Sequence, residues 1–438
     1  MKYYSTNGNS ALVNFKEATI AGLAPDGGLF FPEHIPTFDK EFFSKIDSMS
    51  IAEIAYAIMQ PYVGDCLNEE SLFDLVREAF DFPIPLKQIN ANQYVLELFH
   101  GNTLAFKDVG ARFMSRCLGH FVKDDHRRMT VLVATSGDTG GAVADGFYGV
   151  EGVDVVILFP SGKVSAVQEK QLTAMGGNIH AIEIEGDFDD CQRLVKQAFS
   201  DTDLRNHIFL TSANSINVAR WIPQQLFYFL AYQQWTKELA DPVVSVPSGN
   251  FGNICAGLLA KKSGLPIKKF IAACNENDVV PRFLEHGKFE IKNTFHTISN
   301  AMDVGSPSNF VRIMELYGKD LAALKKDLVA FRFNDDETRK IMLDSQKEND
   351  YILDPHGAVG LLALQKYQQQ ILNEPGIFAA TAHPVKFYDV VKDVIGLQPD
   401  MPSSISSLME KESISVKMSP VYLDVRSYLM DNIRNNKN

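Results

Sequence analysis

From residue 98 to residue 110 the chain reads LFHGNTLAFKDVG, and the rest of the sequence is organised around this stretch. The apolar run at 94–99 is typical of a buried strand, and it leads into small and polar residues. Lys107 follows three apolar residues, at 104–106, where a helical pattern begins. Apolar surroundings partly desolvate an ammonium group, which lowers its pKa and frees the amine as a nucleophile. Lys107 is therefore a candidate Schiff-base lysine, and the alternative is an ordinary lysine near the start of a helix.

Composition and charge limit the function classes. The 438 residues are 45% hydrophobic and 22% charged, which is enough for two or three domains with sizeable cores. The formal net charge of -12 argues against a nucleic-acid partner. An anionic substrate would need cations and backbone amides placed locally, because the overall field repels it.

The cysteine pattern and the absence of targeting signals predict a cytoplasmic protein. The 5 cysteines are scattered and include no CxxC pair, which favours a reducing compartment over a disulfide framework or a structural zinc site. The first residues are polar, so we expect no secretory signal, and no apolar run is long enough to span a membrane. The histidines show no metal-ligand spacing, so we expect no metal.

Residues 1–93 are predicted to be mainly helical. Helical patterns occupy 14–21 and 72–80, and Ser50 with Glu53 forms a capping box ahead of a third helix. Pro61 is expected beyond the end of that helix. No motif in this segment indicates chemistry.

From residue 94 onward, short apolar runs alternate with helical patterns, which indicates a parallel sheet covered by helices. The predicted strands are 94–99, 130–134, 153–159, 179–184, 208–211, 243–246, 270–273 and 378–381. In such sheets ligands bind beyond the carboxyl ends of the strands, so the loops there are the candidate sites.

Two of these loops carry short polar side chains. Residues 135–141 read TSGDTGG, where hydroxyls and glycines at a helix start suit a carboxylate or a phosphate; the alternative is a plain cap made by Ser136 or Asp138. Residues 212–220 contain two asparagines, two serines and Arg220 ahead of a helix predicted to reach Leu239. These donors suit a phosphate dianion, and the alternative is capping by Ser215 or Asn217, with Arg220 on a solvated face.

The strongest glycine signal is PSGNFGN at 247–253, between a strand and the helix predicted at 254–262. The glycines permit close approach to an anion, and the helix dipole favours negative charge there. A tight strand-to-helix turn would explain the glycines but not the two asparagines. Near the end, TAHPVKF at 381–387 places Thr381 at the tip of a buried strand, where its hydroxyl can meet a heteroatom or simply belong to a capping turn.

Taken together, these segments resemble the threonine synthases, pyridoxal-phosphate enzymes of fold type II that are similar to the β chain of tryptophan synthase. The likeness extends over nearly the whole chain. It rests on residues 5–7, 22–29, 99–101, 103–108, 135–140, 168–170, 212–217, 247–252, 299–303 and 381–384. Asn102 departs from the pattern, since the family usually has proline there.

The resemblance implies an α/β fold with two helix-covered open sheets and a mainly helical N-terminal domain at 1–93. It assigns 94–240 to the catalytic-lysine segment and a small α/β domain, and 241–438 to a large domain that binds pyridoxal 5'-phosphate. Lys107 would hold the cofactor covalently and act as the catalytic acid and base. The remaining implied residues are Gly249, Asn250, Phe251, Gly252 and Asn253 for the cofactor phosphate, Thr381 for the pyridine nitrogen, Ser136, Gly137, Asp138 and Thr139 for the substrate, and Asn214, Ser215 and Arg220 for the substrate phosphate.

The implied reaction converts O-phospho-L-homoserine and water to L-threonine and phosphate, the last step of threonine biosynthesis. This chemistry needs one phosphate site for the cofactor and one for the substrate, and the sequence offers two suitable loops. The implied partner is a small molecule, and the protein would be a monomer or a homodimer. A lyase of the same fold that ends in a keto acid, and a non-catalytic binding protein, remain as alternatives.

Overall fold

Helices and strands alternate along most of the chain, as the apolar runs predict. The computed structural model describes residues 1–123, 127–236, 239–371 and 374–433. Up to residue 97 the elements are β1 (Tyr3–Ser5), α1 (Phe15–Ala21), β2 (Phe30–Pro32), α2 (Lys40–Lys45), α3 (Ile51–Val63), α4 (Glu69–Ala79), β3 (Leu86–Asn90) and β4 (Gln93–Glu97). No helix within these described ranges is both long enough and apolar enough to cross a lipid bilayer.

The middle of the chain contains the lysine helix and the strands of the smaller sheet. Its elements are α5 (Lys107–Val122), β5 (Met129–Ala134), α6 (Asp138–Phe147), β6 (Val153–Pro160), α7 (Ala166–Thr173), β7 (Ile179–Ile184), α8 (Phe188–Ser200), α9 (Thr202–His207), β8 (Phe209–Thr211), α10 (Val218–Trp221) and α11 (Leu226–Gln233).

The last part of the chain completes both sheets. Its elements are β9 (Val243–Pro247), α12 (Gly252–Lys262), β10 (Lys269–Cys274), α13 (Val279–His286), α14 (Phe310–Leu316), α15 (Leu321–Asp327), β11 (Leu328–Arg332), α16 (Asp335–Asn349), α17 (Pro355–Gln370), β12 (Gly376–Ala380), α18 (Tyr388–Ile395), α19 (Ser403–Met409), β13 (Val416–Met418) and α20 (Tyr422–Asn432).

Two open sheets confirm the predicted fold class. The larger has the strand order β11-β10-β9-β12-β4-β3 and the smaller has the order β13-β7-β6-β5-β8. Neighbouring strands in both sheets run parallel, except that β3 pairs antiparallel with β4. The carboxyl ends of β4, β12 and β9 therefore meet at one edge of the larger sheet. Each of these ends leads into one of the candidate loops.

The sheets take strands from distant parts of the chain. β3 and β4 precede residue 98 but belong to the larger sheet, and β13, near the C-terminus, forms an edge of the smaller sheet. The segment predicted to be mainly helical also contributes the antiparallel pair β1 and β2. The division of the chain at residues 93 and 240 stays a prediction about its domains.

Two helix ends differ from the sequence expectation, and both involve proline. Pro61 lies inside the last part of α3 instead of beyond it, and the buried side chains of Ile58, Met59 and Tyr62 stabilise the turn around it. The helix predicted to reach Leu239 is divided: α10 is followed by a 3-10 turn that contains Pro223, and α11 ends at Gln233. A proline has no backbone N–H to donate, which accounts for the break at residue 223.

Arg312 fixes the N-terminal segment to the sheet domains from inside the protein. Its side chain is fully buried and its guanidinium stacks over Trp221, with 4.5 Å to the ring centroid. It donates to the carbonyl oxygens of Phe30 (3.1 and 3.2 Å), Ser215 (3.2 Å) and Ile216 (2.5 Å). One side chain thus satisfies three carbonyls from two segments that are far apart in sequence.

We expect Arg312→Leu to lower the free energy of unfolding by about 3 kcal/mol, because buried carbonyls lose their donors. Arg339→Leu is the matched control. Arg339 forms an ion pair with the exposed Asp393, so its replacement should change the free energy of unfolding by less than about 0.5 kcal/mol. Urea unfolding with saturating cofactor measures both variants. Equal midpoints for the two variants would contradict the structural role given to Arg312.

Candidate active site

The lysine turn is held against the segment that follows β12. The N–H of Leu98 donates to the carbonyl of Ala380 at 2.9 Å, and the N–H of Phe106 donates to that of Thr381 at 2.9 Å. The N–H of His383 donates to the carbonyl of Leu104 at 3.0 Å. Lys107, the first residue of α5, is thereby placed beside the ends of β4 and β12.

The buried carboxylate of Asp108 stabilises the lysine turn. Its carboxylate accepts from the N–H of Thr103 at 2.9 Å and from the Thr103 hydroxyl. A Cβ at Gly101 would lie 2.4 Å from the Asp108 carboxylate, so only glycine fits there. Burial raises the pKa of Asp108 to about 6 although the Thr103 donors oppose the shift.

Asn102 is the residue that departs from the family pattern, and its side chain ties the turn to α6. The amide donates to both carboxylate oxygens of Asp145, at 3.2 and 3.1 Å. A side-chain tether therefore restrains the turn at the position where the family usually has the fixed backbone angle of proline.

Lys107 is largely desolvated, as the sequence predicts, but charged groups surround it as well as apolar ones. Its side chain is 17% exposed, and its Nζ lies 5.5 Å from the centroid of the Phe106 ring and 3.6 Å from Oδ2 of Asp138. Burial lowers the pKa of Lys107; Asp138 opposes the shift, while Lys386 and Arg220 add to it. The amine is therefore more available as a nucleophile and base than an exposed lysine amine.

The loop at 135–141 begins α6 without the predicted side-chain cap. The capping position is Gly137, and the Thr135 hydroxyl accepts from the N–H groups of Gly137 (3.0 Å) and Gly140 (2.8 Å). The alternative in which Ser136 or Asp138 is the cap is therefore wrong. Gly137 has φ 130°, and a Cβ there would lie 2.4 Å from the side chain of Gln168. The Asp138 carboxylate, 4% exposed, contacts Gln168 and Lys386.

The loop at 212–220 buries its arginine. Arg220 is 2% exposed, which rules out a place on a solvated face, and Asn217 is the capping residue of α10. The guanidinium of Arg220 donates to the carbonyl of Ala213, but its Nε is buried without a partner. α10 approaches α5 closely, because a Cβ at Gly110 would lie 2.4 Å from the carbonyl oxygen of Arg220. Burial lowers the pKa of Arg220 to about 10.

The other two residues predicted for the substrate phosphate have different contacts. Asn214 donates to the carbonyl of Ala134, at the end of β5, at 3.3 Å. The hydroxyl of Ser215 accepts from Asn250 at 2.8 Å and from Asn309 at 3.1 Å. Ser215 thus contacts the glycine loop at 247–253, whereas Asn214 faces the smaller sheet.

The glycine loop leaves the start of α12 without a side-chain cap. The capping residue is Phe251, in the left-handed region at φ 60°, and it offers no acceptor. Asn253 accepts from Tyr228 at 2.7 Å, but its Nδ2 is buried with no partner. A Cβ at Gly249 would lie 2.6 Å from the Cα of Met302, so the loop packs tightly against 299–303. An uncapped helix start with a spare amide donor suits a phosphate.

These positions fit pyridoxal phosphate. The strand order places the amine of Lys107 after β4, Thr381 after β12 and the uncapped start of α12 after β9. Neighbouring strands lie about 4.8 Å apart, so the three strand ends span roughly 10 Å across the sheet. The groups that follow them, an amine, a hydroxyl and an uncapped helix start, suit a ligand that carries an aldehyde, a ring nitrogen and a phosphate.

Comparison with models of protein families shows which class of enzyme this protein belongs to. A model described as pyridoxal-phosphate dependent enzyme matches residues 81–418, and a model described as threonine synthase N terminus matches residues 2–80. The first match includes both sheets, Lys107 and the candidate loops. The protein is a pyridoxal-phosphate-dependent enzyme of fold type II.

Similar proteins and solved structures show which family within this class the chain belongs to. The threonine synthase of Haemophilus influenzae is 44% identical over 434 residues, which cover 98% of this chain and 100% of that protein. The crystal structure of Escherichia coli threonine synthase matches with TM-score 0.92 and 42% identity, covering 98% of this chain and 100% of that chain. A PLP-bound threonine synthase structure from Brucella melitensis matches with TM-score 0.90 and 38% identity, covering 98% of both chains. The chain belongs to the threonine synthase family, and it is a lyase.

Sequence reasoning missed several side chains that build the site. Lys386 and Gln168 fall inside segments that the sequence singles out, but nothing in the pattern indicates that both contact Asp138. Asn309 and Arg312 lie outside every such segment, although both contact Ser215. The only available signal for Lys386 is a lysine within an apolar run near the end of a buried strand, the same type of signal that Lys107 gives.

Two substitutions at the start of α12 separate the effect of side-chain charge on cofactor binding from the effect of side-chain size. We expect Gly252→Asp to bind pyridoxal phosphate at least tenfold more weakly than Gly252→Asn, because a carboxylate would meet the phosphate there. Both side chains have similar volume, and a Cβ at Gly252 has no neighbour closer than 3.4 Å. Cofactor titration followed by visible absorbance measures the two affinities. Equal affinities would mean that the cofactor phosphate is bound elsewhere.

Proposed function

We propose that this protein makes L-threonine and phosphate from O-phospho-L-homoserine and water, the reaction that its family membership implies. The observation that carries the proposal is the buried guanidinium of Arg220. It forms no ion pair within the described part of the chain, and its Nε has no partner. The buried carboxylate of Asp108 attracts it electrostatically, but Asp108 accepts from Thr103, so the guanidinium keeps a donor for a further anion, and an anion is expected to bind beside it. The substrate phosphate is such an anion, and the cofactor phosphate has its own site at the start of α12.

The cofactor would be held by residues from three loops. Lys107 would bind it covalently, the N–H groups of residues 249–253 would bind its phosphate, and Thr381 would face its ring nitrogen. Ser215 contacts Asn250, so we assign it to this end of the site. When bound, the cofactor supplies an electron sink for negative charge that develops beside the substrate's amino group.

Lys107 would move the protons of the reaction. Its Nζ would take the proton from Cα of the substrate and give it up before it takes one from Cβ, and burial, which lowers the pKa of Lys107, favours the free amine that this needs. Arg220, together with Asn214, would bind the phosphate and stabilise its charge as it leaves Cγ. The proton taken from Cβ would be returned at Cγ, water would add its hydroxyl group at Cβ, and reprotonation of Cα would give threonine.

The substrate carboxylate would bind at the start of α6. Ser136 and Thr139 offer hydroxyl and N–H donors at a helix start, which favours an anion, and Gly137, whose N–H donates to Thr135, shapes the turn between them. Asp138 cannot itself bind a carboxylate, since like charges repel. We propose that it contributes to the substrate grip as the counter-ion of the lysines.

The remaining parts of the proposal concern assembly and location. The protein would act on its small-molecule substrate as a monomer or a homodimer, in the cytoplasm. Its free cysteines, of which Cys117, Cys191, Cys255 and Cys274 are buried, are compatible with a reducing compartment.

Product analysis tests the reaction. The purified protein with pyridoxal phosphate is expected to release threonine and phosphate in equal amounts from O-phosphohomoserine. Lys107→Ala should lose the visible Schiff-base absorbance and all turnover, because the amine that would bind the cofactor is removed. Formation of 2-oxobutyrate and ammonia by the unmodified protein would instead identify a lyase that ends in a keto acid.

The position of the Schiff base is tested separately. Borohydride reduction followed by peptide mapping is expected to label Lys107. The informative rival is Lys386, which lies beside the same carboxylate. Label on Lys386 or any other lysine would refute the assignment of Lys107.

Arg220→Met should lower kcat/KM for O-phosphohomoserine by about tenfold to over a hundredfold, since a charge-assisted hydrogen bond contributes roughly 1.5–3 kcal/mol. Methionine keeps the buried volume. Arg220→Lys should recover part of the lost kcat/KM, because it restores the positive charge without the forked donor geometry of the guanidinium. Cofactor content should stay normal in both variants.

The control is Arg116→Met, which removes another arginine of the α5 region, one that donates to the carbonyl of Gly146 at 2.8 Å. In steady-state assays the kcat/KM of this variant should stay close to that of the unmodified protein. Loss of cofactor in Arg220→Met, with unchanged kcat/KM per loaded enzyme, would assign Arg220 to the cofactor instead.

A further inference from the structure

Lys386 is a buried cation whose contacts converge on the lysine turn. It lies in the 3-10 turn Pro384–Phe387, and its side chain has 0% exposure. Its Nζ contacts Oδ1 of Asp138 at 2.9 Å, the carbonyl of Thr103 at 2.8 Å and Oε1 of Gln171 at 2.8 Å. An ammonium group has three donors, and all three of them are used. Lys386 is therefore a fixed charge and not a free ligand for substrate.

The carboxylate of Asp138 lies closer to Lys386 than to Lys107. Oδ1 contacts Lys386 at 2.9 Å and also accepts from Gln168 at 2.9 Å. Oδ2 lies 3.6 Å from Nζ of Lys107, which is longer than a hydrogen bond. Lys386 is thus the principal partner of this carboxylate, and Lys107 is held at a distance.

The charges around Lys107 come from four elements. Asp138 faces it from the start of α6, Lys386 from the turn after β12 and Arg220 from α10. Asp108, on the same helix as Lys107, is engaged by Thr103. Burial would raise the pKa of Asp138, but Lys386 and Lys107 together hold it well below its usual range. Asp138 is therefore charged, and the question is which lysine neutralises it.

We propose that Lys386 is a positioning residue that keeps Asp138 as its own ion-pair partner, so that the Lys107 amine is not held as a tightly paired ammonium ion. The proposal rests on the proposed role of Lys107 as the cofactor lysine and proton carrier. Without Lys386, Lys107 would be the only cation within 4 Å of the Asp138 carboxylate among the described residues, and its ammonium form would be stabilised. If Asp138 is removed as well, burial and the charge of Arg220 still act on Lys107, and the free amine is favoured again.

The test follows the pH dependence of cofactor capture. Full-length protein stripped of cofactor is mixed with pyridoxal phosphate, and the rise of Schiff-base absorbance is timed between pH 6 and pH 10. Only the free amine attacks, so the rate reports the ionisation of Lys107. Borohydride mapping of the unmodified protein accompanies the measurement. Label on a lysine other than Lys107 there would refute the assignment of Lys107, on which this role of Lys386 rests, whereas label on Lys107 with an unshifted rate profile would refute the role of Lys386 alone.

In Lys386→Met we expect the midpoint of the rate profile to move upward by at least one pH unit, with about a tenfold lower rate at neutral pH. In the Lys386→Met/Asp138→Asn double variant the midpoint should return toward that of the unmodified protein. Asp138→Asn alone should move it downward, because Lys107 then faces Lys386 and Arg220 without a carboxylate. A purely structural role for Lys386 would not be reversed by a second substitution at its partner.

Lys268→Met is the matched control. Lys268 pairs with the largely buried Glu374 at 2.6 Å, but near the starts of β10 and β12 instead of their ends. Its profile should coincide with that of the unmodified protein. An unshifted midpoint in Lys386→Met, or the same upward shift in the single and double variants, would overturn the proposal. If Lys386→Met does not fold, an unchanged or raised midpoint in Asp138→Asn overturns it equally.

Discussion

Two backbone hydrogen bonds between the lysine turn and the segment after β12 are the constraint on which the site depends. They join Phe106 to Thr381 and His383 to Leu104, so two loops that are distant in sequence act as one surface. The parallel pairing of β4 with β12 and of β12 with β9 brings the three strand ends together in the first place. Each loop then contributes one kind of chemistry: an amine, a hydroxyl or an uncapped helix start. The order of the strands sets the spacing between these groups.

The candidate site also offers an acidic protein a local means of attracting anions. The formal charge of the chain is -12, yet two buried cations, Arg220 and Lys386, lie around Lys107. Asp138 partly neutralises them, and Asp108 is turned toward Thr103. Selectivity for anions is therefore a local property, produced by a few fixed side chains and by helix starts, and the net charge of the chain does not predict it.

Local features of the fold could be predicted from the sequence, whereas pairings between distant segments could not. Buried runs such as Met129–Ala134 indicate strands because both faces of a covered parallel sheet are apolar. β13 has mostly exposed residues and carries no such signal. Lys107 and the glycine loop could be singled out as candidates from their immediate neighbours. The buried state of Arg220 and the contacts of Ser215 and Lys386 could not, since their partners lie on other elements and local spacing does not encode them.

The place of β12 has a consequence for how the chain is made. β12 lies between β9 and β4 in the larger sheet, and its pairing with β4 joins positions that are more than half the chain apart. During synthesis on the ribosome, β4 has no neighbour on that side until residues 376–380 emerge. The apolar edge left open in the meantime favours slow folding and contact with other nascent chains, so this protein is expected to depend on protection during translation more than a protein with local strand pairing.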